Sequence, residues 1–586
     1  MQASFLGSAL PHIRHSENGI QLIVKGEPFL MLAGELHNSS LSSAQFMSDV
    51  WPAMKAESIN TLLGSVTWEM IEPTEGRFDF SELDAVIRGA RQHSMRLVLL
   101  WFGTYKNGMS TYAPAWVKQD VRRFPRVYIL KAGGAKQMLE MITPLSEEAC
   151  KADAKAFAAL MRHLKDFDAE DNTVLMVQVE NETGLLGDSR DRSLRAEKAF
   201  RERVPKDLLK YLVANKKSLH PAFLQRFGHR LPTSKEAIES QDHAWATIFG
   251  AGLSADEAFM AHHISSYVGR VAAAGKAAYP IPLYANTWLN TDDPSKLEVP
   301  NAAIVVGGST SPGAYPSGGP CPHVSDIWRH NAVGTTLGLD FLAPDLYFHD
   351  YEAVCRDYTA HTDNALFIPE QRRDEHGARR VWLALATYGA LGVAPFGIDT
   401  GADIVGREYA LLARSSRFLL SSRPAQRFGF FFDPPAEKGH PPRTGRREVW
   451  TRRFGREGEE LEAIVERAFV FGKAGPGGGM VIQLGDTSSR RFLLVGQGYQ
   501  VRFKSHAAGA TFTGILNAAE KEVDEATGEL RTLRVLNGDE TRSGKFVIMP
   551  NDDPDHGGFP IAVTIPARTC IAEVEAYWIC EDAGGI

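Results

Sequence analysis

The sequence predicts an α/β protein whose larger part is a (β/α)8 barrel. Apolar runs of strand length alternate with amphipathic helical patterns through residues 1–421. These runs are apolar throughout, rather than at every second position, as expected of parallel strands covered by helices. Several of them end in acidic or amide residues, and such barrels carry their active sites at the carboxyl ends of the strands.

Length and charge narrow the class of protein. With 586 residues the chain exceeds one ordinary domain, so a barrel with a smaller second unit is expected. A net charge of -7 and a pI of about 6.2 leave no basic surface excess. Nucleic acids and anionic membranes are therefore not expected as partners.

Cysteine usage and hydropathy favour a cytoplasmic enzyme, although a processed mature chain would show the same pattern. The five cysteines are spread along the chain without a Cys-x-x-Cys pair, which predicts neither a zinc site nor a disulfide framework. The first residues lack the charged and apolar regions of a signal peptide. No apolar run approaches the roughly 20 residues that a membrane helix needs.

The predicted barrel strands follow from the apolar runs taken in order. They are 29–37, 59–68, 96–102, the start of 173–184, 282–288, 340–347, 365–370 and 390–397. Between them, apolar residues recur three or four positions apart, for example in 46–54, 83–90 and 154–164, which predicts helices. Ser81 is the predicted N-cap of one helix, another follows Ser146, and a helix near 409–420 closes the barrel.

Three stretches depart from this alternation. A long loop with glycine and tyrosine follows the third strand, and a Gly/Pro/Ser-rich loop covers 307–322. The run 303–306 is interpreted as part of the same βα loop. Residues 187–275 are charged and mostly helical, which predicts a helical insertion over the barrel mouth. Its role is open between packing, with an oligomer contact, and shaping the substrate entrance.

From residue 422 to 586 the pattern changes to short β-rich runs separated by turns. The runs begin near 427, 480, 491, 499 and 545, and turns are predicted at 476–479 and at Asn537-Gly538. This predicts a β-sandwich-like second domain. The acidic segment 551–557 lacks the spacing of an EF-hand calcium loop and is predicted to be a turn.

Two strand ends carry the candidate chemistry. The fourth strand ends in Glu180-Asn181-Glu182, and the seventh ends in Glu370. A cluster of helix-capping residues is the simple alternative for the first group. Two carboxylates facing each other across a barrel mouth are the groups that glycosidic bond cleavage requires. Strand alternation puts Glu180 and Glu182 on one face, so spacing alone does not choose between them.

These segments resemble glycoside hydrolases of clan A, and within it family 35 β-galactosidase-like enzymes. Gln178–Glu182 resembles that family's Gln-x-Glu-Asn-Glu segment. Trp68–Pro73 followed by Gly76–Phe80 is similar to its Trp-x-x-x-Glu-Pro…Gly-x-Tyr/Phe-Asp-Phe segment, and Gly34–His37 to its first-strand Gly-x-x-His. Residues 101–108 and 371–374 depart from the family pattern, so the resemblance supports the reaction better than the sugar.

The resemblance implies roles for three site residues. Glu182 would be the acid/base, Asn181 would contact the sugar 2-hydroxyl, and Glu370 would be the nucleophile of a retaining double displacement. Glu180 would support Glu182 by setting its pKa. No metal or organic cofactor is implied.

Aromatic residues at strand ends are further candidates for sugar contacts. Trp68, Trp288 and Tyr347 end the second, fifth and sixth predicted strands, and Tyr105 follows the third. Aromatic faces stack on the C–H face of a sugar, although each residue fits core packing equally well. Tyr347 is favoured because it matches a site tyrosine of the family.

The sequence therefore predicts a retaining exo-β-glycosidase that acts on carbohydrates, with β-galactosides as the favoured substrate. A retaining mechanism predicts carboxyl groups about 5–5.5 Å apart. Action on another β-linked sugar, such as a β-glucoside, transfer to a sugar acceptor, and a catalytically dead carbohydrate-binding barrel remain alternatives. A homo-oligomer is open.

Overall fold

The computed structural model describes most of the chain. The described residues are 10–240, 243–291, 310–334, 337–434, 447–467, 475–524, 526–550 and 565–581. The predicted loop run 303–306 and acidic turn 551–557 lie outside them.

The chain forms two compact units. The first consists of Met1–Ile13, Leu22–Gln371 and Ala394–Thr400, and the second of Arg14–Gln21, Arg372–Val393 and Gly401–Ile586. The single boundary between residues 421 and 422 remains a proposal.

Eight strands form a closed barrel, which confirms the predicted fold class. Neighbouring strands pair in parallel, and a bridge between Glu35 and Phe396 joins the first strand to the end of the eighth. The second, fourth and sixth barrel strands are buried along their whole length, as expected where helices cover the outer side of a barrel. In chain order the barrel strands are Met31–Glu35, Thr61–Thr67, Arg96–Lys106, Val174–Asn181, Leu283–Trp288, Phe341–Leu346, Ile368–Gln371 and Gly392–Pro395.

Helices of the first unit begin largely where the apolar periodicity predicts. Ser146 caps its helix by accepting a hydrogen bond from the Ala149 backbone N–H at 3.2 Å. Ser81 is not an N-cap: it is the first helical residue, and its hydroxyl donates to Asp79. The helices are Ala44–Ala56, Trp68–Ile71, Ser81–Gln92, Ala115–Lys118, Glu147–Asp168, Leu194–Phe200, Lys206–Ala214, Pro221–Phe227, Lys235–Ser240, Trp245–Phe249, Leu253–Ala278, Ser325–Ala332 and Tyr351–Tyr358.

Two of the irregular stretches differ from their predictions. The third strand continues to Lys106, and the following loop contains a hairpin of Arg126–Leu130 and Lys136–Ile142. Within the predicted insertion, Leu253–Ala278 packs on Glu147–Asp168 so closely that a Cβ at Gly275 would lie 2.2 Å from the Phe157 ring. That helix belongs to the outer ring of the barrel, and the insertion is shorter than predicted.

A three-stranded sheet near the amino terminus was not predicted from the sequence. Its strands are His12–Ser16, Gly19–Val24 and Glu27–Phe29. None of the helices within the described ranges combines the length and apolar character that a membrane crossing requires.

The second unit contains helices and two sheets. The helices are Glu375–Trp382, a π-helical turn Leu383–Thr387, and Asp403–Ser421. One sheet has six strands in the spatial order Arg427–Phe432, Gly477–Gln483, Arg491–Gln497, Ile571–Cys580, Ala510–Val523 and Leu530–Val535. The other has four, Val449–Phe454, Leu461–Arg467, Tyr499–Ser505 and Val547–Ile548.

Aromatic rings join these two sheets, as expected of a sandwich. Phe430 lies 4.7 Å from Tyr499 between ring centroids, and Phe492 lies 4.7 Å from Phe503. The predicted turn at 476–479 is wrong, because Gly477 to Gly479 open a strand. Glycine is required there because a Cβ at Gly479 would lie 2.3 Å from the Val495 carbonyl oxygen.

Candidate active site

Polar side chains from four neighbouring barrel strands meet at one end of the barrel. Glu182 follows the fourth strand, Asn286 lies in the fifth, Asp345 in the sixth and Glu370 in the seventh. In the parallel register Asp345 lies beside Trp288 on one side and Glu370 on the other. Because parallel strands end at the same edge, these residues share the barrel mouth.

Three buried carboxyl groups form the centre of this site. One oxygen each from Glu182, Asp345 and Glu370 lies within 4.8 Å of the other two. The three residues are only 8 %, 3 % and 6 % exposed. The sequence predicted Glu182 and Glu370 as partners, and the structure brings them together. Asp345 was missed, although it lies two residues before the predicted Tyr347.

Asn286 holds the site together. Its side-chain oxygen accepts a hydrogen bond from the Glu182 backbone N–H at 2.9 Å. Its Nδ2 lies 2.8 Å from Asp345, 3.2 Å from Asn181 and 3.4 Å from Glu370. Asn286 was also missed from the sequence, because one amide within an apolar strand gives no chemical signal by itself.

Tyr347 contacts the predicted nucleophile directly. Its hydroxyl donates a hydrogen bond of 2.8 Å to Glu370 Oε2. Burial and the neighbouring charge of Glu370 raise the pKa of Tyr347 well above its usual value, so the phenol keeps its proton and remains a donor. Together with Asn286, this fixes the orientation of the Glu370 carboxylate.

Glu180 and Glu182 face different surroundings, contrary to the predicted common face. Both have left-handed backbone conformations, with φ of 63° and 42°, which breaks the regular alternation of a strand. The Glu180 carboxylate accepts hydrogen bonds from the backbone N–H groups of Thr104 at 3.3 Å and Tyr105 at 2.6 Å. Glu180 therefore connects the fourth strand to the third, and its predicted supporting role in the site remains a prediction.

Electrostatics favour a protonated Glu182. Burial and the negative charge of Glu370 raise the pKa of Glu182 to about 8, although Lys106 and a hydrogen bond with Asp345 oppose the shift. Burial, with the charges of Glu370 and Glu182, also raises the pKa of Asp345 well above its usual range. The carboxyl groups of this site therefore cannot all be ionised at neutral pH.

Asn181 is fully buried beside the carboxyl groups. Its Nδ2 donates to Asn107 Oδ1 at 3.0 Å, and its Oδ1 accepts from Gln178 at 2.9 Å and from Asn286 at 3.2 Å. These contacts fix the amide at the mouth. The predicted contact with a sugar 2-hydroxyl remains a prediction.

Two of the four aromatic candidates belong to the barrel wall. The Trp68 indole N–H donates to Glu72 at 2.8 Å, and the Tyr105 hydroxyl donates to the Ile142 carbonyl at 3.3 Å. Both side chains are fully buried. Trp288 is half-buried beside Asp345, and its indole N–H has no hydrogen-bond partner among the described residues. Trp288 and Tyr347 thus remain candidates for substrate contact.

The three carboxyl oxygens also have a spacing that could hold a metal ion. Carboxylate oxygens are the ligands that calcium and magnesium prefer. A shared proton between Glu182 and Asp345 accounts for the same close spacing. The sequence predicts no metal, and that expectation remains a prediction.

Fold and site together define a (β/α)8-barrel protein with a buried carboxyl cluster at its mouth. Residues 41–231, which include Asn181 and Glu182, match the model of glycoside hydrolase family 42, described as beta-galactosidase. Residues 405–548 match a domain of unknown function, DUF5597. The match supports the predicted resemblance to clan A, whereas family 35 is not confirmed.

Individual proteins give further likenesses. A beta-galactosidase from Xanthomonas manihotis is 27% identical over 180 residues, which are 29% of this chain. The chain thus spans about a quarter of that relative, 26% of its length. A beta-galactosidase structure from Halorubrum lacusprofundi matches 66% of this chain and 58% of its own, with 15% identity and a TM-score of 0.40. The catalytic domain of a beta-amylase from Paenibacillus polymyxa matches 65% of this chain and 97% of its own, with 11% identity and a TM-score of 0.44.

Proposed function

We propose that the protein is a retaining exo-β-glycosidase that hydrolyses terminal β-galactosides. The observation that carries this proposal is the close approach of Glu182 and Glu370, whose nearest oxygens lie within 4.8 Å. Inverting enzymes need about 6.5–9.5 Å between their carboxyl groups to admit a water molecule, whereas retaining enzymes use about 5–5.5 Å. The spacing favours a direct attack by one carboxylate.

In the first step Glu370 is the nucleophile and Glu182 the acid. A Glu370 oxygen forms a bond to the anomeric carbon while the bond from that carbon to the leaving oxygen breaks. The proton of Glu182 passes to the leaving oxygen. A raised pKa of about 8 keeps Glu182 protonated at neutral pH, as this step requires.

In the second step the roles reverse. A water oxygen attacks the anomeric carbon, the bond to Glu370 breaks, and Glu182 takes the water proton. Tyr347 and Asn286 act throughout by holding the Glu370 carboxylate in line. Asp345, close to both catalytic groups, would exchange its hydrogen bond with Glu182 as that proton leaves and returns.

The choice of a β-galactoside rests on the comparisons. The matched family model and the curated relative are both described as beta-galactosidase. The low exposure of Glu182 and Glu370 favours action at a chain end, because an internal sugar would need an open cleft. Transfer to a sugar acceptor in place of water uses the same two steps.

A panel of 4-nitrophenyl β-glycosides tests this proposal. The wild-type protein and a Glu370→Gln control are assayed on the galactoside, glucoside and related sugars, with and without an acceptor sugar. We expect the galactoside to be cleaved fastest and the first-formed product, observed by proton NMR, to be the β-anomer. An α-anomer product would overturn the retaining mechanism, and no cleavage of any glycoside would overturn the activity.

A further inference from the structure

A fourth acidic residue at the barrel mouth has no role in the mechanism above. Glu35 ends the first barrel strand and is only 1 % exposed. Neither of its carboxyl oxygens has a hydrogen-bond partner among the residues that the structure describes. A buried carboxyl group without partners is costly for the fold, so a ligand that supplies the missing hydrogen bonds is the physical expectation.

The backbone directs Glu35 toward the barrel interior. A Cβ at the preceding Gly34 would lie 2.6 Å from the side chain of Ile398, so that position faces the helical turn Ile398–Thr400, which follows the eighth strand. Successive residues of a strand face opposite sides, so Glu35 faces inward. Its pairing with Leu63 and its bridge to Phe396 place it at the same end of the barrel as Glu370.

The carboxyl groups of the site act on the pKa of Glu35, which the strand pairing places at the same end of the barrel. Burial comes first among the causes that raise its pKa well above the usual range, followed by the charge of Glu370 and, more weakly, that of Glu182. The cation of Lys106 opposes the shift. The Glu35 carboxyl group can accept hydrogen bonds from a ligand and, when it carries a proton, can also donate one.

We propose that Glu35 determines specificity by binding one or two hydroxyl groups of the sugar at C3, C4 or C6. The inference rests on the proposed glycosidase function. Glu182 and Glu370 must flank the anomeric carbon, and Asn181 beside them is the candidate for the 2-hydroxyl. One strand separates the first strand from the seventh and two separate it from the fourth, so Glu35 would approach the sugar ring from a different side than Glu370 and Glu182.

Paired changes in enzyme and substrate test this proposal. Wild type, Glu35→Ala and Glu35→Gln are assayed on 4-nitrophenyl β-D-galactoside and on its 3-deoxy, 4-deoxy and 6-deoxy analogues. A site that hydrogen-bonds a substrate hydroxyl rejects the analogue without it strongly, so we expect a loss in kcat/KM of at least about 100-fold for one analogue. On the parent galactoside, the kcat/KM of Glu35→Ala should fall by about the same factor. On the sensitive deoxy analogue, Glu35→Ala should have nearly the same kcat/KM as wild type, because the contact is already absent.

The conservative variant and a stability measurement separate binding from a structural role. Glu35→Gln keeps a donor and an acceptor, so we expect it to recover part of the activity lost in Glu35→Ala. Glu35→Ala should not lower the Tm of the free protein, because it removes a buried polar group that lacks partners, whereas the loss of a structural contact would lower the Tm. The proposal would be overturned if the loss in kcat/KM from Glu35→Ala and the loss from removing a hydroxyl group were independent, and so multiplied, for all three analogues.

Glu257→Gln is the matched control, because Glu257 is a fully buried carboxyl group outside the site. It should show the wild-type preference among the analogues. If wild type cleaves no glycoside, the proposed activity fails. Wild type and Glu35→Ala are then compared by the increase in Tm that galactose and each deoxygalactose produce. Wild-type stabilisation that depends on one hydroxyl and is absent in Glu35→Ala would support the Glu35 assignment, and identical responses in the two proteins would overturn it.

Discussion

Two groups of buried carboxyl side chains in the first unit contrast sharply. Glu257 accepts a hydrogen bond of 2.6 Å from Tyr315 and ion-pairs with His323 at 2.9 Å and Arg226 at 3.1 Å. Burial alone would raise the pKa of Glu257, but these partners outweigh it and the pKa is lowered. At the barrel mouth burial is reinforced by like charges, and the pKa of Glu182 rises to about 8.

The difference separates acids that hold the fold from acids prepared for chemistry. Around Glu257 each negative oxygen faces a cation or a donor, so the charged form is stable and inert. At the mouth Lys106 is the cation that lowers the pKa of both Glu182 and Glu35, and it does not balance the four carboxyl groups. Groups whose protonation is poised in this way are typical of active sites.

Glu370→Gln should show the largest effect and sharpen the contrast. We expect turnover to fall by at least about 10⁴-fold, because the nucleophile is removed while its shape is kept. The free energy of unfolding should not fall, since the change removes a charge from a repelling cluster. Burst-phase kinetics with a 2,4-dinitrophenyl glycoside and thermal unfolding check the two expectations. Residual activity near the wild-type level would assign the nucleophile to another group.

Glu257→Gln should have the opposite signature. Removing one partner from a buried ion-pair network leaves His323 and Arg226 unbalanced, so the free energy of unfolding should fall by about 3 kcal/mol. The kcat/KM of the folded variant should equal that of wild type. Urea unfolding and kinetics below the Tm measure these two quantities. If Glu257→Gln left stability unchanged but abolished activity, Glu257 would be a functional residue and the contrast with the carboxyl groups at the mouth would fail.

Much of the barrel could be predicted from the sequence because strands that are buried on both faces appear as continuous apolar runs. All eight strands lie within or next to apolar runs, and Glu182 and Glu370 were identified because charged residues end such runs. The unpredicted strands Arg126–Leu130 and His12–Ser16 are only five residues long, and His12–Ser16 is also polar and mostly exposed, so neither gives an extended apolar run.

The rest of the site depends on register, which one sequence does not supply. Asp345 and Asn286 lie inside strands, and only pairing with their neighbours shows that they meet Glu370 and Glu182. The positive φ of Glu180 and Glu182 breaks the alternation that would place both side chains on one face, and no local sequence pattern indicates it. Register also decides which aromatic residues at strand ends lie at the barrel mouth, as Trp288 and Tyr347 do, and which lie in the barrel wall, as Trp68 and Tyr105 do.

Tyr347→Phe should give an intermediate effect. The change deletes a hydrogen bond to a charged carboxylate, a contact worth about 1.5–3 kcal/mol. We expect kcat/KM to fall roughly 10- to 100-fold, with the loss mainly in kcat because Glu370 loses its orientation. Steady-state kinetics on the best substrate of the glycoside panel measure this split. A change confined to KM would show that Tyr347 contacts the sugar instead.

The smallest expected effect is a change in kcat/KM with pH, which tests the protonation of Glu182 at the barrel mouth. Glu182 must carry a proton to act as the acid, so kcat/KM should decline as pH rises past about 8, where the group ionises. A 2,4-dinitrophenyl leaving group needs no protonation, so its release should be insensitive to Glu182→Gln at the glycosylation step. A profile that stays flat to high pH for the 4-nitrophenyl substrate would contradict the assignment.

The same raised pKa predicts the direction of a stability change. Glu182 binds its proton more tightly in the folded protein than in the unfolded chain, where its pKa is near the usual value of about 4.5. The folded state therefore loses stability as pH rises from about 4.5 towards 8, and this loss is absent below the unfolded pKa. Glu182→Gln should reduce the slope of Tm against pH in that window, while Glu257→Gln should not. An unchanged slope in Glu182→Gln would mean that the group is already ionised, and the contrast between the two carboxyl clusters would then lose its basis.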